Sequence, residues 1–392
     1  MGKINFTLVM YILSTSLFSF AIGIFTLVFN IHINLLIDSK IFLSNFLLLG
    51  NIAMAIGGAL FGKLIDLYEK KSILLIAIFL AAISFMLECF SSNPILLYIV
   101  SLCYGLAFSV LMSIHTPFVM ENTNEKNQAF VLNLCSSCKL FASTLGIFIG
   151  GNIPLKVISR INRSPYQLIL LVAGVVYLLA IIPICFIKKE NKNVEQKEFK
   201  IENNEKESNA KPSILIFSFV FLILGMLIFF TPYMNLYLNN RYQLDLKKIS
   251  IIIAFIDICP IVTNVLLAKL YTYIQDRHLI AGCCILCIMF YGLLAIYEQV
   301  YLQIGCLLIT TMLSSFVFPQ ISRYILKEYP KENRGQMSGI ANMFYNLGDS
   351  IGTYSEGIFI NYSIFRVPFI ITSILYLFLL LFILKIKKTK KN

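Results

Sequence analysis

The chain alternates long apolar runs with short polar breaks. Twelve runs of eighteen or more mostly apolar residues begin near Phe6, Ile41, Ser72, Pro94, Gln128, Tyr166, Pro212, Lys248, Leu279, Val300, Gln336 and Phe365. A helix of about 20 apolar residues crosses a bilayer core. Lipid offers no partner to a backbone N–H or C=O, so each run is expected to be a helix. Barrel strands are short and alternate in polarity, which excludes a β-barrel. The first run has only Lys3 ahead of it and leads straight into the second, unlike a cleaved signal peptide.

Composition agrees with this pattern. The 392 residues are 58% hydrophobic and 13% charged, whereas soluble domains carry about 25% charged residues. An integral, multi-pass, all-α membrane protein is expected. Cationic residues then set its orientation. With both termini cytoplasmic, Lys and Arg split 23 inside to 8 outside, and Lys139 lies within a span. The net charge of +12 is therefore read as topology and as a fit to an anionic inner leaflet, with no nucleic-acid partner. The excess of Lys over Arg and the short loops point to a bacterial plasma membrane. Most of the ten Cys fall inside spans. Cys135/Cys138 and Cys284/Cys287 have C-x-x-C spacing without nearby His, so they read as packing residues, and no metal or cofactor is expected.

One long polar segment, residues 188–211, divides the chain. It reads as a cytoplasmic linker between an N-terminal six-helix half, 1–187, and a C-terminal half, 212–392. The halves are related. A shift of 206 lays FGKLIDLYEKKSILLI (61–76) over LAKLYTYIQDRHLIAG (267–282), and pairs Gly146 with Gly352 and Gly151 with Gly357. A shift of 205 lays FTLVFNIHIN (25–34) over FTPYMNLYLN (230–239). Six helices repeated once, with a site between the copies, is a transporter signature.

The loop GKLIDLYEKK (62–71) and the opening of the eleventh run, ENRGQMSGIANMFYNLG (332–348), carry a family resemblance. Gly62, Asp66, Lys70 and Lys71 match a G-x-x-x-D-x-x-G-R-K loop motif, with Glu69 at the second Gly. In these features the chain resembles the major facilitator superfamily over nearly its full length. That implies a fold of twelve helices in two pseudo-symmetric halves and transport by alternating access. It also implies that Asp66 lies beside the start of helix 11, near Arg334. There it would latch the halves, helped by the neighbouring Lys, because an anion gains about 0.3–1 kcal/mol at a helix N-terminus. A plain topology signal is the alternative. GIFIGG (146–151) is similar to the G-P-x-x-G-G of helix 5 in proton antiporters of this superfamily, with Ile147 in place of Pro. Close helix packing explains it as well.

Ionisable residues inside spans mark function by default, since each costs about 2.5–3.5 kcal/mol on insertion scales. Lys139, Asp257, Asp349 and Glu356 qualify. Lys139 and Asp257, at similar depth in helices 5 and 8, are expected to pair. Otherwise Lys139 faces the cavity and meets an anionic substrate, or snorkels. Through the repeat, the mirror contact between helices 2 and 11 would be Asn51 with Tyr345. Helix 11 carries a polar stripe of Asn342, Tyr345 or Asn346, Asp349, Thr353 and Glu356 at helical spacing. Asp349 is expected to carry protons; Glu356 is expected to be solvated near the outer surface. Helices 1 and 7 share T-x-x-x-N-x-x-x-N: Thr26, Asn30, Asn34 and Thr231, Asn235, Asn239. These read as an external gate or as simple interhelical hydrogen bonds. His115 and Arg323 lie near the cytoplasmic ends of helices 4 and 10, where the resemblance puts the cavity.

No P-loop is present, and three scattered His give no catalytic set. The expectation is a monomeric, non-enzymatic secondary transporter of a small molecule, coupled to protons, exporting an amphipathic compound or drug. Uptake of a nutrient or metabolite, or uniport, is the alternative. A non-transporting membrane sensor ranks behind both.

Overall fold

The structure is a computed structural model. It describes residues 5–37, 39, 41–67, 69–124, 128–153, 165–187, 214–227, 231–270, 276–326 and 334–385. These form twelve helical spans: α1 Phe6–Leu36, α2 Phe42–Leu67, α3 Lys70–Phe90, α4 Pro94–Glu121, α5 Gln128–Asn152, α6a Pro165–Leu179 with α6b Ile181–Cys185, α7a Ile214–Met226 with α7b Met234–Tyr242, α8 Leu246–Leu270, α9 Asp276–Ile296, α10 Val300–Leu326, α11 Arg334–Asn361 and α12 Val367–Lys385. Every start lies within three residues of the expected one. The segment 188–211 lies outside the described residues.

Among the described residues nine helices are long and apolar enough to cross a membrane. α11 is not one of them, although it is 28 residues long. Its polar stripe is affordable because α11 is shielded by α2 and α7a. The lipid side is apolar: Ile76, Phe79 and Leu80 of α3 and Leu377, Phe378 and Leu381 of α12 stand exposed in rows. On a soluble protein such a surface would drive aggregation; in a bilayer it is the solvated face.

Helix pairing repeats six spans on. α1 packs on α5 as α7a does on α11; α2 on α4 as α8 on α10; α3 on α4 as α9 on α10; α3 on α6a as α9 on α12. Glycine sets the closest pairs. A Cβ at Gly23 would collide with the Ser143 carbonyl, and one at Gly348 with the Leu222 carbonyl. Without a hydrophobic force between helices in lipid, such close backbone contact is the main source of association. Gly146 meets the Phe20 carbonyl in the same way, so the glycines of GIFIGG are packing residues in this structure.

Two spans are broken where one continuous helix was expected. α6 breaks at Ala180, ahead of Pro183, and Ser14 of α1 donates a hydrogen bond to the Ala180 carbonyl at 2.7 Å. α7 passes through a 3-10 turn, Thr231–Tyr233. Proline removes a ladder donor and crowds the preceding turn, and Pro232 sits at the centre of that turn. α7b is then tied to its own half. The Gln303 carboxamide accepts from Tyr242 at 2.7 Å and from Tyr237, and donates to the Tyr297 carbonyl at 2.7 Å. Outside the membrane, Glu298 joins Arg366 at 2.7 Å and Arg241 at 2.5 Å. The Arg366 hydrogen bond, then Arg241, hold the Glu298 carboxyl below its ordinary range.

Two outcomes follow from this packing. Gly348→Leu should lower the thermal unfolding midpoint by an amount equivalent to about 1–3 kcal/mol of overpacking. Gly305→Leu, where an added Cβ meets nothing within 4 Å, should leave the midpoint nearly unchanged. Because Glu298 titrates lower in the folded state, its contribution is complete above the ordinary carboxylate value and lost as pH falls through the depressed one. Arg366→Gln should therefore flatten the acid limb of a stability–pH curve, and an unchanged limb would remove the clamp from the account.

Candidate functional site

The two halves meet along a seam made by α2 with α11, α5 with α8, and α1 with α7b. On the face opposite the termini, here the far face, the seam is two-fold symmetric. A Cβ at Gly151 of α5 would collide with Ser250 of α8, and one at Gly357 of α11 with Ser44 of α2. A shift of 206 carries each Gly–Ser contact into the other. Asn30 Nδ2 donates to the Pro232 carbonyl at 2.5 Å, and Asn235 Nδ2 donates to the Leu27 carbonyl at 2.8 Å. A shift of 205 relates these two bonds. Asn235 also donates to the Thr26 carbonyl at 3.0 Å, and Asn30 to Asn235 Oδ1 at 3.4 Å. Of each T-x-x-x-N-x-x-x-N stripe only the central Asn crosses the seam. The Thr26 hydroxyl turns to Gly23 of its own helix, Asn239 donates to Leu244, and Asn34 and Thr231 are exposed.

The Gly–Ser contacts fix helix register, and register overturns the Lys139–Asp257 pair. α5 and α8 run antiparallel with Gly151 opposite Ser250. Asp257 is seven residues from that point and Lys139 twelve, an offset of about 7.5 Å along the axes. No ion pair joins them among the described residues. Asp257 falls opposite Ser143–Thr144, while Lys139, half-buried, lies within electrostatic reach of Cys135 and His115 in its own half. The same register corrects the mirror contact. Asn51 donates to Asp349 Oδ2 at 3.4 Å, one turn from the expected Tyr345.

Asp349 stands at the inner end of a cavity of about 790 Å³ between α2, α4 and α11. Thr353 Oγ1 donates to its Oδ1 at 3.0 Å. Met54, Met112, Met343, Phe108 and Ile340 give the cavity apolar walls; Asn342, Tyr345, Asn346, Ser109 and Ser113 add polar groups. The lining residues lie on the terminal-face side of Asp349, so the cavity and the far-face seam are on opposite sides of the carboxylate.

Glu356 is not solvated, contrary to the expectation. It is 0% exposed, and neither carboxyl oxygen has a hydrogen-bond partner. Gly357 beside it is wedged against Ser44 and Tyr233, and the Tyr233 hydroxyl reaches Ser44 at 3.5 Å. Five residues, about one and a half turns, from the end of α11, a Glu looks peripheral in sequence. Depth here is decided by the seam: at this level α11 meets α2 and the 3-10 turn through Gly357. Glu88 of α3 was passed over for a similar reason. It is buried among Phe85, Tyr104 and Tyr177 of the N-terminal half, with Oε1 unpartnered.

The sequence profile of the Major Facilitator Superfamily matches residues 4–353 and 258–392. The chain belongs to the major facilitator superfamily. It is therefore a member of a multi-pass membrane transporter family of small-molecule carriers, and not an enzyme. It is 22% identical over 323 residues to Multidrug resistance protein 2 of Bacillus subtilis (strain 168), covering 79% of this chain and 77% of that protein. The nucleoside transporter NupG superposes with a TM-score of 0.75 at 13% identity, over 97% of this chain and 100% of that one. A D-xylose-proton symporter gives 0.77 at 12% identity, over 98% of each. These structures share the fold.

Within this facilitator fold the loop-motif lysines work inside their own half. Lys70 is buried and forms an ion pair with Glu121 at the end of α4. Lys71 Nζ donates to the Cys185 carbonyl at 2.8 Å and to Ile187 at 2.5 Å, capping α6b. A cation at a helix C-terminus satisfies orphan carbonyls and the helix dipole. Among the described residues these contacts stay within the N-terminal half, and the latch expected between Asp66 and the start of α11 falls on side chains outside the described residues. The side chains of Asp66, Arg323 and Arg334 and the surroundings of Gly62 lie outside what the structure describes. His115 Nδ1 meets the Tyr11 hydroxyl at 3.0 Å, joining α4 to α1.

The two asparagines should act as one device. Interhelical bonds are worth about 0.6 kcal/mol each, so losing two across the seam should raise the opening constant roughly sevenfold. Asn30→Ala, which loses two, is expected to lower hydrogen-exchange protection of residues 234–242 by that factor, and Asn235→Ala, which loses three, by about 20-fold. The double variant should fall short of the sum because the pair share a contact. Unchanged protection in both would make the bonds incidental.

Proposed function

We propose that the protein is a proton-coupled exporter of small amphipathic compounds, acting as a monomer in a bacterial plasma membrane. The observation that carries the reading is the Asp349 carboxylate at the end of an apolar, methionine-rich cavity, bonded across the seam to Asn51. Thioether and aromatic walls repack around varied shapes, which suits a broad substrate range. One carboxylate in such walls selects for a positive charge. A proton and a cationic substrate then compete for the same oxygens.

Alternating access follows from the seam. With the far face sealed, the cavity opens toward the termini, and the 23 to 8 cation split supports that face as cytoplasmic. A substrate entering from the cytoplasm displaces a proton from Asp349. Once the halves rock the other way, a proton from outside takes the carboxylate back and the substrate leaves. Asn51 belongs to the opposite half, so a change of charge on Asp349 acts directly on a contact between the halves. The relative named for multidrug resistance supports export.

Proteoliposomes holding a pH-sensitive dye test this. Adding cationic amphipathic compounds should move protons in wild type, and Asp349→Asn should abolish the signal. Transport that continues in the variant without proton movement would reduce Asp349 to a structural role. Transport of nucleosides or sugars with no response to cationic amphipaths would replace export of drugs by uptake.

A further inference from the structure

We propose that Glu356 is a proton-operated lock in the far-face seam. It holds a proton while the halves are joined there, and releases it to the far side when they part. This is a second ionisable site, distinct from Asp349 and outside the cavity.

Three observations lead to it. First, the carboxyl is fully enclosed and both oxygens lack partners among the described residues. An ionised carboxylate needs water, a cation or several donors, and an enclosed one without them is not sustained. Among the described residues no Lys, Arg or His pairs with it, and Tyr233 is the titratable side chain within its electrostatic reach. α2 contributes the non-titrating Ser44, and Asp349 is two turns away on α11 itself. The neutral acid is the form that fits this packing.

Second, its place on α11 faces the seam between the halves. Asp349, two turns earlier on the same helical face, is bonded to Asn51 of α2; Tyr233 of the C-terminal half lies within electrostatic reach of Glu356; and the next residue, Gly357, is crowded by Tyr233 and by Ser44 of α2. Parting the halves at the far face takes α2 away from the face of α11 that carries the carboxyl. Water then reaches it, and the O–H bond breaks to give carboxylate and a hydrated proton. Closing again requires that proton back. Seam closure and protonation are thus linked, whatever the substrate.

Third, Glu356 breaks the symmetry of a seam that is otherwise repeated. Gly151 matches Gly357, Ser250 matches Ser44, and Asn235 matches Asn30. The counterpart of Glu356 is Gly150, where an added Cβ would first meet Ile24 at 3.4 Å, an ordinary contact. Packing therefore needs no side chain at this position, and in the other copy has none.

The test uses the full chain in nanodiscs, with no substrate. Hydrogen exchange of residues 234–242 is followed as pH is raised and corrected for intrinsic rate. In wild type, protection should fall about tenfold per pH unit above the titration point, as one linked proton requires. The comparison is made on an Asp349→Asn background, so that the Asn51 contact does not titrate: with Glu356 the slope should persist, and with Glu356→Gln, which resembles the neutral acid, full protection should be kept at every pH. A Glu356→Gln profile that tracks its Glu356 parent overturns the proposal. Should that variant not fold, a hydrophobic carbodiimide on wild type decides instead. The acid O–H adds across the C=N bond, and the adduct rearranges to an N-acylurea on Glu356. Peptide mass analysis should find this adduct at low pH and lose it as pH rises. No adduct at any pH, or one indifferent to pH, also overturns the proposal.

Discussion

The architecture depends on backbone-to-side-chain contact at two Gly–Ser crossings. Gly151 against Ser250 and Gly357 against Ser44 leave no room for a Cβ. Helices in lipid gain nothing from burying apolar surface against each other, so close approach and hydrogen bonds must supply the association. Small residues at the crossing let α5 reach α8 and α11 reach α2. Only at that spacing do Asn30 and Asn235 reach carbonyls on the opposite helix. The same crossings set the depth at which Asn51 meets Asp349. A change of helix spacing there would therefore move the seal and the charged site together.

Much of the fold was legible because its signals are long and redundant. Run length located the spans, and internal similarity gave the two-fold relation. What failed was register. Lys139 and Asp257 look level when each is measured from its own helix start, but antiparallel helices are level only where a contact pins them. The pinning residues were Gly151 and Gly357, already matched by the repeat. Their partners Ser44 and Ser250 are unremarkable as sequence, and their equivalence appears only once the contact is seen. Burial of Glu356 was hidden for a related reason. Distance from a helix end measures depth only when the neighbouring helix ends at the same level, and here α2 begins beside it. The break in α7 had a legible cause in Pro232, but a long apolar run conceals a proline near its outer end.

The polar stripe on α11 shows how one helix can serve two sides. Asn342, Tyr345, Asn346 and Asp349 face the cavity; Thr353 supports Asp349 from the next turn; Glu356 lies beyond, inside the seam. The stripe thus runs from solvent-lined space into enclosed packing. No such gradient exists on α5, its counterpart, where Ser143 and Gly150 take the equivalent positions of Asp349 and Glu356.

On the proposed function, that difference is what lets a symmetric frame support a directional cycle. A pair of identical halves can rock, but identical halves give a proton no preferred place to act. Here the duplicated residues, Gly, Ser and Asn, make the hinge and the seal. The unduplicated ones, Asp349 and Glu356 on α11 and Lys139 on α5, carry the charge. Asn51 matches Asp257 across the repeat. In the α2–α11 seam that position meets a carboxylate of the other half, Asn51 to Asp349. On this division of labour, mechanical and chemical residues are separable. On the proposed reading, exchanging a seam Asn alters how easily the halves part, while exchanging an α11 carboxylate alters the proton that accompanies the parting.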